Sequence, residues 1–342
     1  MNLDRRSAHW ARQLSVLASL TLLVGLVGCQ GPFPQTTFSA TTEFGADLSG
    51  LFWMIFWWAV VVFVVVEVGV IYILIRFRAR PGQEDPAPVH GHTALEIAWT
   101  LVPAVIIVFI AVPTIQVIWK DARADTTNAL QVEAIGHQWW WEFRYPEYGI
   151  VTANDLYLPQ GRAVEVQLTS ADVIHSFWLP RLAGKRDMIL GRTSRLVFTP
   201  DSTGEFWGQC AEYCGTSHAN MRFRAFVQSP DDFDAWVAHQ TSPPAPEANL
   251  SAGEAQGLAV YRTRGCIACH TIDGVSAGVL GPDLNHFGNR STVAGGILDN
   301  TAENLTAWLR DPPGVKPGSL MPNFQLSEDD ITALVTYLQS LR

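Results

Sequence analysis

The chain has 342 residues, more than the roughly 100–200 that one domain usually contains, so two or more domains are expected. Apolar residue types make up 48% and charged types 16%, a composition that excludes an intrinsically disordered protein. The net charge of −9, from 23 basic and 32 acidic residues, argues against a nucleic-acid partner.

The N-terminus has the parts of a secretory signal. Three arginines precede a 14-residue apolar run at 14–27, which is too short to cross a bilayer. Residues 1–28 are therefore predicted to be a signal peptide. Leu26-Val27-Gly28-Cys29 resembles a bacterial lipobox, so we expect Cys29 to become a lipidated N-terminus. The alternative is an ordinary signal followed by an incidental cysteine.

Two longer apolar stretches are predicted to form a transmembrane hairpin. Residues 51–75 carry one charge, Glu67, and residues 97–118 carry none, and both reach the roughly 20 residues that a span requires. We expect helices at about 51–76 and 95–118. Arg76, Arg78 and Arg80 lie between the two apolar stretches and mark the cytoplasmic side, which places the chain after Lys120 on the exported side. Glu67 is a functional candidate, with a buried hydrogen bond to another subunit as the alternative.

The exported part divides at a Pro-rich linker, residues 241–250. In residues 121–240, apolar and polar residues alternate, as in Val164-Glu165-Val166-Gln167-Leu168, and turn residues separate the runs. This pattern predicts a β-sandwich or barrel. In residues 251–342, the apolar spacing is helical, and Ser251 with Glu254 has the spacing of a capping box, as has Ser327 with Asp330. The C-terminal domain is therefore predicted to be small and α-helical.

Residues 210–221 hold four soft ligands in the spacing C-x3-C-x3-H-x2-M, namely Cys210, Cys214, His218 and Met221. Soft ligands suit copper. A disulfide is the alternative that an exported location permits, but it explains neither His218 nor Met221. One copper with Cys, His and a weak Met would be a blue-copper site. Two thiolates can instead bridge two coppers, which then need a second imidazole. His175 is the best candidate, with His137 and His239 as alternatives.

Cys266-Ile267-Ala268-Cys269-His270 is the C-x-x-C-H signal for covalent attachment of haem c. The thiols of Cys266 and Cys269 bond to the haem, and His270 ligates the iron. A redox disulfide or half of a zinc site are the alternatives, although no second C-x-x-C in this domain completes the latter. The sixth ligand should be a Met or a His. Met321 is the only Met after residue 221, and His286 is its competitor.

The segment 210–221, with His175 upstream, resembles the dinuclear copper A centre of cytochrome c oxidase subunit II. The aromatic segment Gly136-His137-Gln138-Trp139-Trp140-Trp141 and residues 95–103 resemble further parts of that family, so the likeness covers about residues 40–230. The C-terminal domain makes the chain similar to those family members that carry their own haem c. The resemblance implies a multidomain membrane protein with a two-helix transmembrane hairpin, a cupredoxin-like β-sandwich and an all-α class I cytochrome c domain.

The resemblance also implies residue roles. Glu212 would ligate copper through its backbone carbonyl, and its carboxylate matches one that reaches a magnesium or manganese ion shared with subunit I. Trp139 matches the aromatic through which electrons reach the copper centre. Glu96 matches a carboxylate near the entrance of a proton pathway, with a helix-end charge at the bilayer surface as the alternative. Residues 281–284 resemble the loop that supports the haem-ligand histidine. The side-chain copper ligands would be His175, Cys210, Cys214, His218 and Met221.

The function that the resemblance implies is that of subunit II of a respiratory cytochrome c oxidase. The protein would lie in a bacterial cytoplasmic membrane, with both exported domains on the periplasmic or extracellular side. Electrons would pass from a cytochrome c-type donor to haem c, to copper A and to haem a of subunit I. There dioxygen would be reduced to water, coupled to proton translocation. The expected partners are subunit I, subunit III, the donor and membrane lipid.

The place of donor docking is a separate expectation. Residues 119–240 have a net charge of −4 and residues 251–342 of −3, so neither domain is strongly acidic. We therefore expect the donor to dock at the haem domain, with Trp139 facing the tethered haem. Two rivals remain at this point: nitrous oxide reductase, which also has a copper A site, and a membrane-tethered electron carrier that acts without subunit I.

Overall fold

The computed structural model describes residues 13, 15–17, 19–21, 33–79, 82, 88, 90–243 and 249–342. Most of the predicted signal peptide, Cys29, Arg80 and residues 244–248 of the predicted linker lie outside the described residues. Residues 35–342 form one compact unit. The predicted architecture, a hairpin of two apolar helices followed by a β-sandwich and a helical C-terminal domain, is confirmed.

The two apolar helices are α1, Glu43–Arg76, and α2, Thr93–Ala122. Both are long and apolar enough to cross a membrane. They begin eight and two residues before the predicted spans because N-caps lie there. Thr42 Oγ1 accepts a hydrogen bond from Gly45 N at 3.0 Å, and His92 Nδ1 accepts one from Leu95 N at 3.4 Å. Pro103 and Pro113 lie inside α2, as membrane helices tolerate.

The β-sandwich consists of two five-stranded sheets. The strands are β1 Leu130–His137, β2 Trp140–Tyr145, β3 Ile150–Ala153, β4 Asp155–Pro159, β5 Val164–Ser170, β6 His175–Leu179, β7 Gly184–Met188, β8 Ser194–Phe198, β9 Gly204–Cys210 and β10 Arg222–Gln228. The first sheet has the order β3-β2-β1-β5-β8 and the second β4-β10-β9-β6-β7. The pairs β1–β5 and β4–β10 are parallel, and the other pairs are antiparallel.

An aromatic cluster fills the sandwich interior below the predicted copper ligands. The Phe177 and Phe223 rings stack with centroids 4.8 Å apart, and the Trp141 ring packs edge-on against both. All three side chains are fully buried. Gly208 in β9 makes room for the cluster, because a Cβ at that position would overlap the Phe223 ring. Helix α3, Pro230–Gln240, covers the sandwich through Phe233.

The C-terminal domain is built around the packing of its first helix on its last. At the start of the first helix, Ser251 and Glu254 cap each other reciprocally, as the predicted capping box requires. At the start of the last helix, Ser327 Oγ accepts from Asp330 N, which is the N-cap half of the predicted box. Two short strand pairs add to the predicted all-α domain. Its elements are α4 Ala252–Thr263, β11 Thr271–Ile272, β12 Ser276–Ala277, β13 Thr292–Val293, β14 Leu298–Asp299, α5 Ala302–Arg310, α6 Pro312–Val315 and α7 Glu328–Ser340.

A polar seam joins the sandwich to the C-terminal domain. Asp155 at the start of β4 accepts hydrogen bonds from Ser291 N at 2.7 Å and from Ser291 Oγ at 2.6 Å. Ser217 Oγ donates to Pro317 O at 2.5 Å, and Arg222 N donates to Gly295 O at 3.2 Å. The two domains therefore contact each other through specific backbone and side-chain groups.

Candidate functional site

Two buried cysteines form the centre of the candidate metal site. Cys210 ends β9 and Cys214 lies in the loop that follows, with their Sγ atoms 3.7 Å apart as free thiols. His175 Nδ1 lies 3.8 Å from Cys210 Sγ, and His218 Nδ1 lies 3.6 Å from Cys214 Sγ. The ligand atoms of His175, Cys210 and Cys214 all lie within 4.8 Å of one another. Each thiol thus has an imidazole beside it.

Two weaker donors complete the set. Met221 Sδ is 3.9 Å from Cys214 Sγ, and the backbone oxygen of Glu212 is 3.2 Å from Cys210 Sγ. Two thiols, two imidazoles, a thioether and a carbonyl are a soft donor set, which fits copper. Two thiols at this separation fit a pair of metal ions that share them, so the residues fit the dinuclear centre that the resemblance implies.

The backbone explains why distant ligands meet. In β6, Phe177 pairs with Cys210 of β9, so His175 at the strand start reaches the same end of the sheet. Cys210 N donates to Met221 O at 2.9 Å, which closes the intervening loop on itself. Gly136 at the end of β1 leaves room for the imidazole, since a Cβ there would lie 2.9 Å from His175 Cδ2.

The alternative imidazoles are engaged elsewhere. The His137 ring stacks on Trp140 with centroids 4.2 Å apart, and its Nε2 lies 3.0 Å from Glu142 Oε2. The His239 ring lies 4.8 Å from the His286 ring at the domain seam. These contacts favour His175 as the second imidazole.

Asp172 is a site residue that the sequence analysis missed. Its Oδ1 accepts a hydrogen bond from His175 Nε2 at 2.7 Å, which leaves Nδ1 facing the thiols. Its Oδ2 accepts from Gln138 N at 2.6 Å. Burial alone would raise the pKa of Asp172, but these hydrogen bonds and one from Val173 N hold that pKa below its ordinary value. The only signal in the sequence is an acidic residue three positions before His175.

The two thiols have different proton affinities. The hydrogen bond with the neighbouring Cys214 thiol makes the largest contribution to lowering the pKa of Cys210, against the opposing effect of burial. The same interaction raises the pKa of Cys214. The pair therefore favours one thiolate that shares the remaining proton, and a metal ion bound here would displace that proton.

Trp139 lies against the loop that carries the candidate metal ligands, residues 211–221, which is called the metal-binding loop here. Its Nε1 donates to Cys214 O at 3.1 Å, and Gln138 Nε2 donates to the same oxygen at 2.7 Å. The residue as a whole is 8% exposed. The peptide bond between Gln138 and Trp139 is cis. The other side of Trp139 lines the second candidate site, described next.

A cavity of about 340 Å³ opens between the C-terminal domain and the sandwich. Cys266, Cys269, His270 and Met321 line it, together with Trp139. His270 Nδ1 donates to Pro282 O at 2.8 Å, so Nε2 is the nitrogen left for a metal. A Cβ at Gly281 would lie 2.6 Å from His270 Cε1, which explains the glycine there. The mostly apolar cavity and its thiols fit the haem that the C-x-x-C-H signal predicts.

The competitor for the sixth haem ligand lies at the domain seam. His286 Nε2 is 3.1 Å from Ser242 O, and its ring faces His239. Met321, in contrast, lines the same cavity as His270. The structure thus favours Met321 over His286.

The predicted acidic site residues have different surroundings. The Glu212 side chain is exposed beside Tyr213, whose side chain is 75% exposed. Glu96 Oε1 accepts from His92 N at 3.1 Å, so it caps the start of α2, in keeping with the alternative reading of that residue. Glu67 is exposed on the apolar surface of α1.

Comparison with known protein families covers most of the chain. Residues 34–117 match the transmembrane domain of cytochrome c oxidase subunit II, and residues 150–227 match its periplasmic domain. Residues 254–342 match the cytochrome c family. The three matches follow the hairpin, the sandwich and the C-terminal domain in order.

Individual relatives agree with the family matches. The chain is 40% identical to cytochrome c oxidase subunit 2 of Alkalihalophilus pseudofirmus, over 79% of this chain and 80% of the relative. It is 34% identical to cytochrome c oxidase subunit 2 of Bacillus subtilis, over 98% of both chains. A crystal structure of the periplasmic domain of subunit II of cytochrome oxidase from Bradyrhizobium japonicum is 33% identical, covers 33% of this chain and 94% of that chain, and has a TM-score of 0.32.

Proposed function

The chain belongs to the cytochrome c oxidase subunit II family, in the form with a C-terminal cytochrome c domain, and on this basis we propose a complete route for its electrons. A cytochrome c-type donor reduces haem c in the C-terminal domain. The electron then passes to copper A in the sandwich and on to haem a of subunit I. Dioxygen is reduced to water in subunit I, coupled to proton translocation.

The observation that carries this proposal is the position of Trp139 between the two candidate sites. Its indole Nε1 donates to Cys214 O, and the residue also lines the cavity of the C-x-x-C-H motif. One buried side chain therefore contacts both the metal-binding loop and the haem cavity. This supports Trp139 as the link through which electrons reach the copper centre.

At the copper site, the chain supplies ligands and a stiff support. Asp172 holds the tautomer and orientation of His175, and the β6–β9 pairing fixes His175 relative to Cys210. A pair of copper ions held by these residues would supply a centre that shares one electron over two metals. The rigid framework keeps rearrangement of the ligands small. The proposed copper ligands are His175, Cys210, Cys214, His218, Met221 and the carbonyl of Glu212.

At the haem site, the chain fixes the axial ligands. Cys266 and Cys269 anchor the haem, while Pro282 O and Gly281 orient the His270 ring. Met321 is the proposed sixth ligand, and His/Met ligation raises the reduction potential of a haem. A high potential suits a haem that accepts electrons from an external donor, which we propose docks at the C-terminal domain.

The remaining assignments follow the family. The exposed Glu212 and Tyr213 form a surface on the metal-binding loop, which we propose faces subunit I. A magnesium or manganese ion shared through Glu212, the proton-path role of Glu96, a lipid on Cys29 and contact with subunit III belong to the same proposal. The membrane is the bacterial cytoplasmic membrane, with both exported domains on its outer side.

The order of electron transfer tests this route. In the purified oxidase, an electron injected by a photoexcited reductant should reduce haem c first, then copper A, then the subunit I haem, as followed by the absorbance of each. Trp139→Phe should slow the second step, because it removes the indole N–H and with it the hydrogen bond from Trp139 to Cys214 O. Trp140→Phe, at the neighbouring cavity residue, is the matched control. Reduction of copper before haem c would contradict the route.

A further inference from the structure

Lys316 is a buried lysine at the seam between the two candidate redox sites. Lys316 follows α6, and the residue is 3% exposed. It lines the cavity that Cys266, Cys269 and His270 also line, which is called the haem cavity here. Its Nζ donates to Trp139 O at 2.5 Å and to Ala294 O at 2.9 Å. One ammonium group therefore joins a carbonyl of the sandwich to a carbonyl of the C-terminal domain.

The surroundings of Lys316 are shaped to admit this contact. Gly295 has a positive φ of 72°, and a Cβ there would overlap Lys316 Nζ and lie 2.7 Å from Trp139 O. The segment after Lys316 makes further contacts with the sandwich. Ser217 Oγ donates to Pro317 O, and a Cβ at Gly318 would lie 2.7 Å from Trp139 Cη2.

The same segment leads directly to the proposed haem ligand. Residues 316–321 run from the lysine to Met321, so the segment that contacts Trp139 also carries the axial methionine. Trp139 is thus held from both sides, by Cys214 O at its indole and by Lys316 at its carbonyl.

The buried position of Lys316 disfavours the charged form of its amino group. Removal from water lowers the pKa of Lys316 to about 7. A lysine is rarely fully buried unless its charge is compensated, and here its hydrogen bonds go to two backbone carbonyls on different domains. The geometry is that of a group which fixes two backbones relative to each other.

We propose that Lys316 is a positioning residue that holds Trp139 against the haem cavity and thereby sets the geometry of electron transfer between the C-terminal domain and the copper site. This inference rests on the proposed function, because it concerns the same electron route. Lys316 acts through Trp139 and the segment that carries Met321.

Lys316→Met in the purified oxidase is the test, since methionine keeps most of the side-chain length and removes the donors. Two buried carbonyls then lose their partner, so local opening of the seam should increase about tenfold. Hydrogen–deuterium exchange of peptides that cover residues 138–142, 220–224 and 292–296 should quicken accordingly. Haem c to copper transfer after flash reduction should slow about tenfold, while the copper paramagnetic resonance signal and the haem c spectrum stay unchanged. Lys185→Met, at an exposed lysine of β7, is the control.

Different outcomes would contradict the positioning role of Lys316 and the proposed electron route. A wild-type rate and wild-type exchange in Lys316→Met overturn the positioning role. An unmodified oxidase that shows no haem c to copper transfer overturns the proposed function instead, while exchange still reports on the Lys316 contact. If Lys316→Met does not assemble, Gly295→Ala displaces the ammonium without removing it, and an unchanged transfer rate in that variant also overturns the role.

Discussion

His175 depends on a carboxylate that holds its ring. Asp172 accepts a hydrogen bond from Nε2–H, so the lone pair on Nδ1 is directed to the thiols. The same carboxylate fixes Gln138 N and thereby the turn that presents Trp139. A single acidic side chain thus orients both a proposed copper ligand and the residue next to the proposed electron link.

Asp172→Asn should weaken copper binding about 10- to 100-fold, because partners that orient metal-bound histidines typically contribute that much to affinity. Titration of the chain with copper against a competing chelator measures the change. Asp187→Asn, at an exposed carboxylate of β7, should leave the affinity unaltered. Equal affinities for Asp172→Asn and the unmodified chain would show that Asp172 does not support the ligand.

Short-range patterns in the sequence predicted many elements but few of these contacts. Alternation over Val164, Val166 and Leu168 gives β5 because each faces the core, and Ser251 caps α4 through a residue three positions away. Asp172, by contrast, contacts Gln138 across 34 positions, and Lys316 contacts Trp139 across 177. Such pairs arise from tertiary folding, which no local spacing encodes.

Most of the candidate metal ligands could be predicted because they lie close together in the sequence. Cys210, Cys214, His218 and Met221 lie within one short loop, so their spacing alone predicts a metal site. His175 comes from another strand and was identified only through its position before an apolar run and the family resemblance. Helix ends were less predictable, since α1 begins at a polar cap outside the apolar run.

Close packing of α4 on α7 depends on Gly257. A Cβ there would overlap Ala333 O and lie 2.5 Å from Tyr337 Cβ. Gly257→Ala should therefore lower the free energy of unfolding of the C-terminal domain by about 1–3 kcal/mol, as overpacking does. Denaturant unfolding followed by haem absorbance measures it.

The control for this change lies one turn away in the same helix. A Cβ at Gly253 would lie 3.5 Å from Thr336 Cγ2, an ordinary contact. Gly253→Ala should stabilise the domain by about 0.5 kcal/mol through helix propensity. Destabilisation of similar size in both variants would contradict close packing as the cause.

The seam between β4 and the C-terminal domain should respond to pH through Asp155. Burial raises the pKa of Asp155 to about 6, although hydrogen bonds from Ser291 oppose the shift. Between about pH 4 and 6, the Asp155 carboxyl group is protonated in the folded protein and ionised in the unfolded chain. The contribution of Asp155 to stability is therefore most favourable below pH 4 and falls by about 3 kcal/mol as pH rises through 6.

Asp155→Asn removes this titration. The apparent melting temperature of the variant, measured relative to the unmodified full chain, should therefore rise between pH 4 and pH 7. Asp299→Asn, at an exposed carboxylate of the same seam, serves as the control. A melting-temperature difference that stays constant over this range would rule out Asp155 as the titrating group.

At the scale of the whole molecule, two candidate redox sites lie on either side of one seam. The loop that carries the candidate metal ligands contacts the C-terminal domain through Ser217, and Trp139 of the sandwich lines the cavity of the C-x-x-C-H motif. In the proposed route, fusion of the two domains in one chain would keep the haem next to its acceptor at high effective concentration. The proposed electron transfer between them would then need no diffusional encounter.

The metal content of the full chain tests the central claim most directly. The chain, purified in detergent with haem attached and copper supplied, should contain two copper ions and one haem. Its electron paramagnetic resonance spectrum should show one unpaired electron shared equally by two copper nuclei. One copper per haem with a mononuclear signal, or zinc in place of copper, would contradict the account.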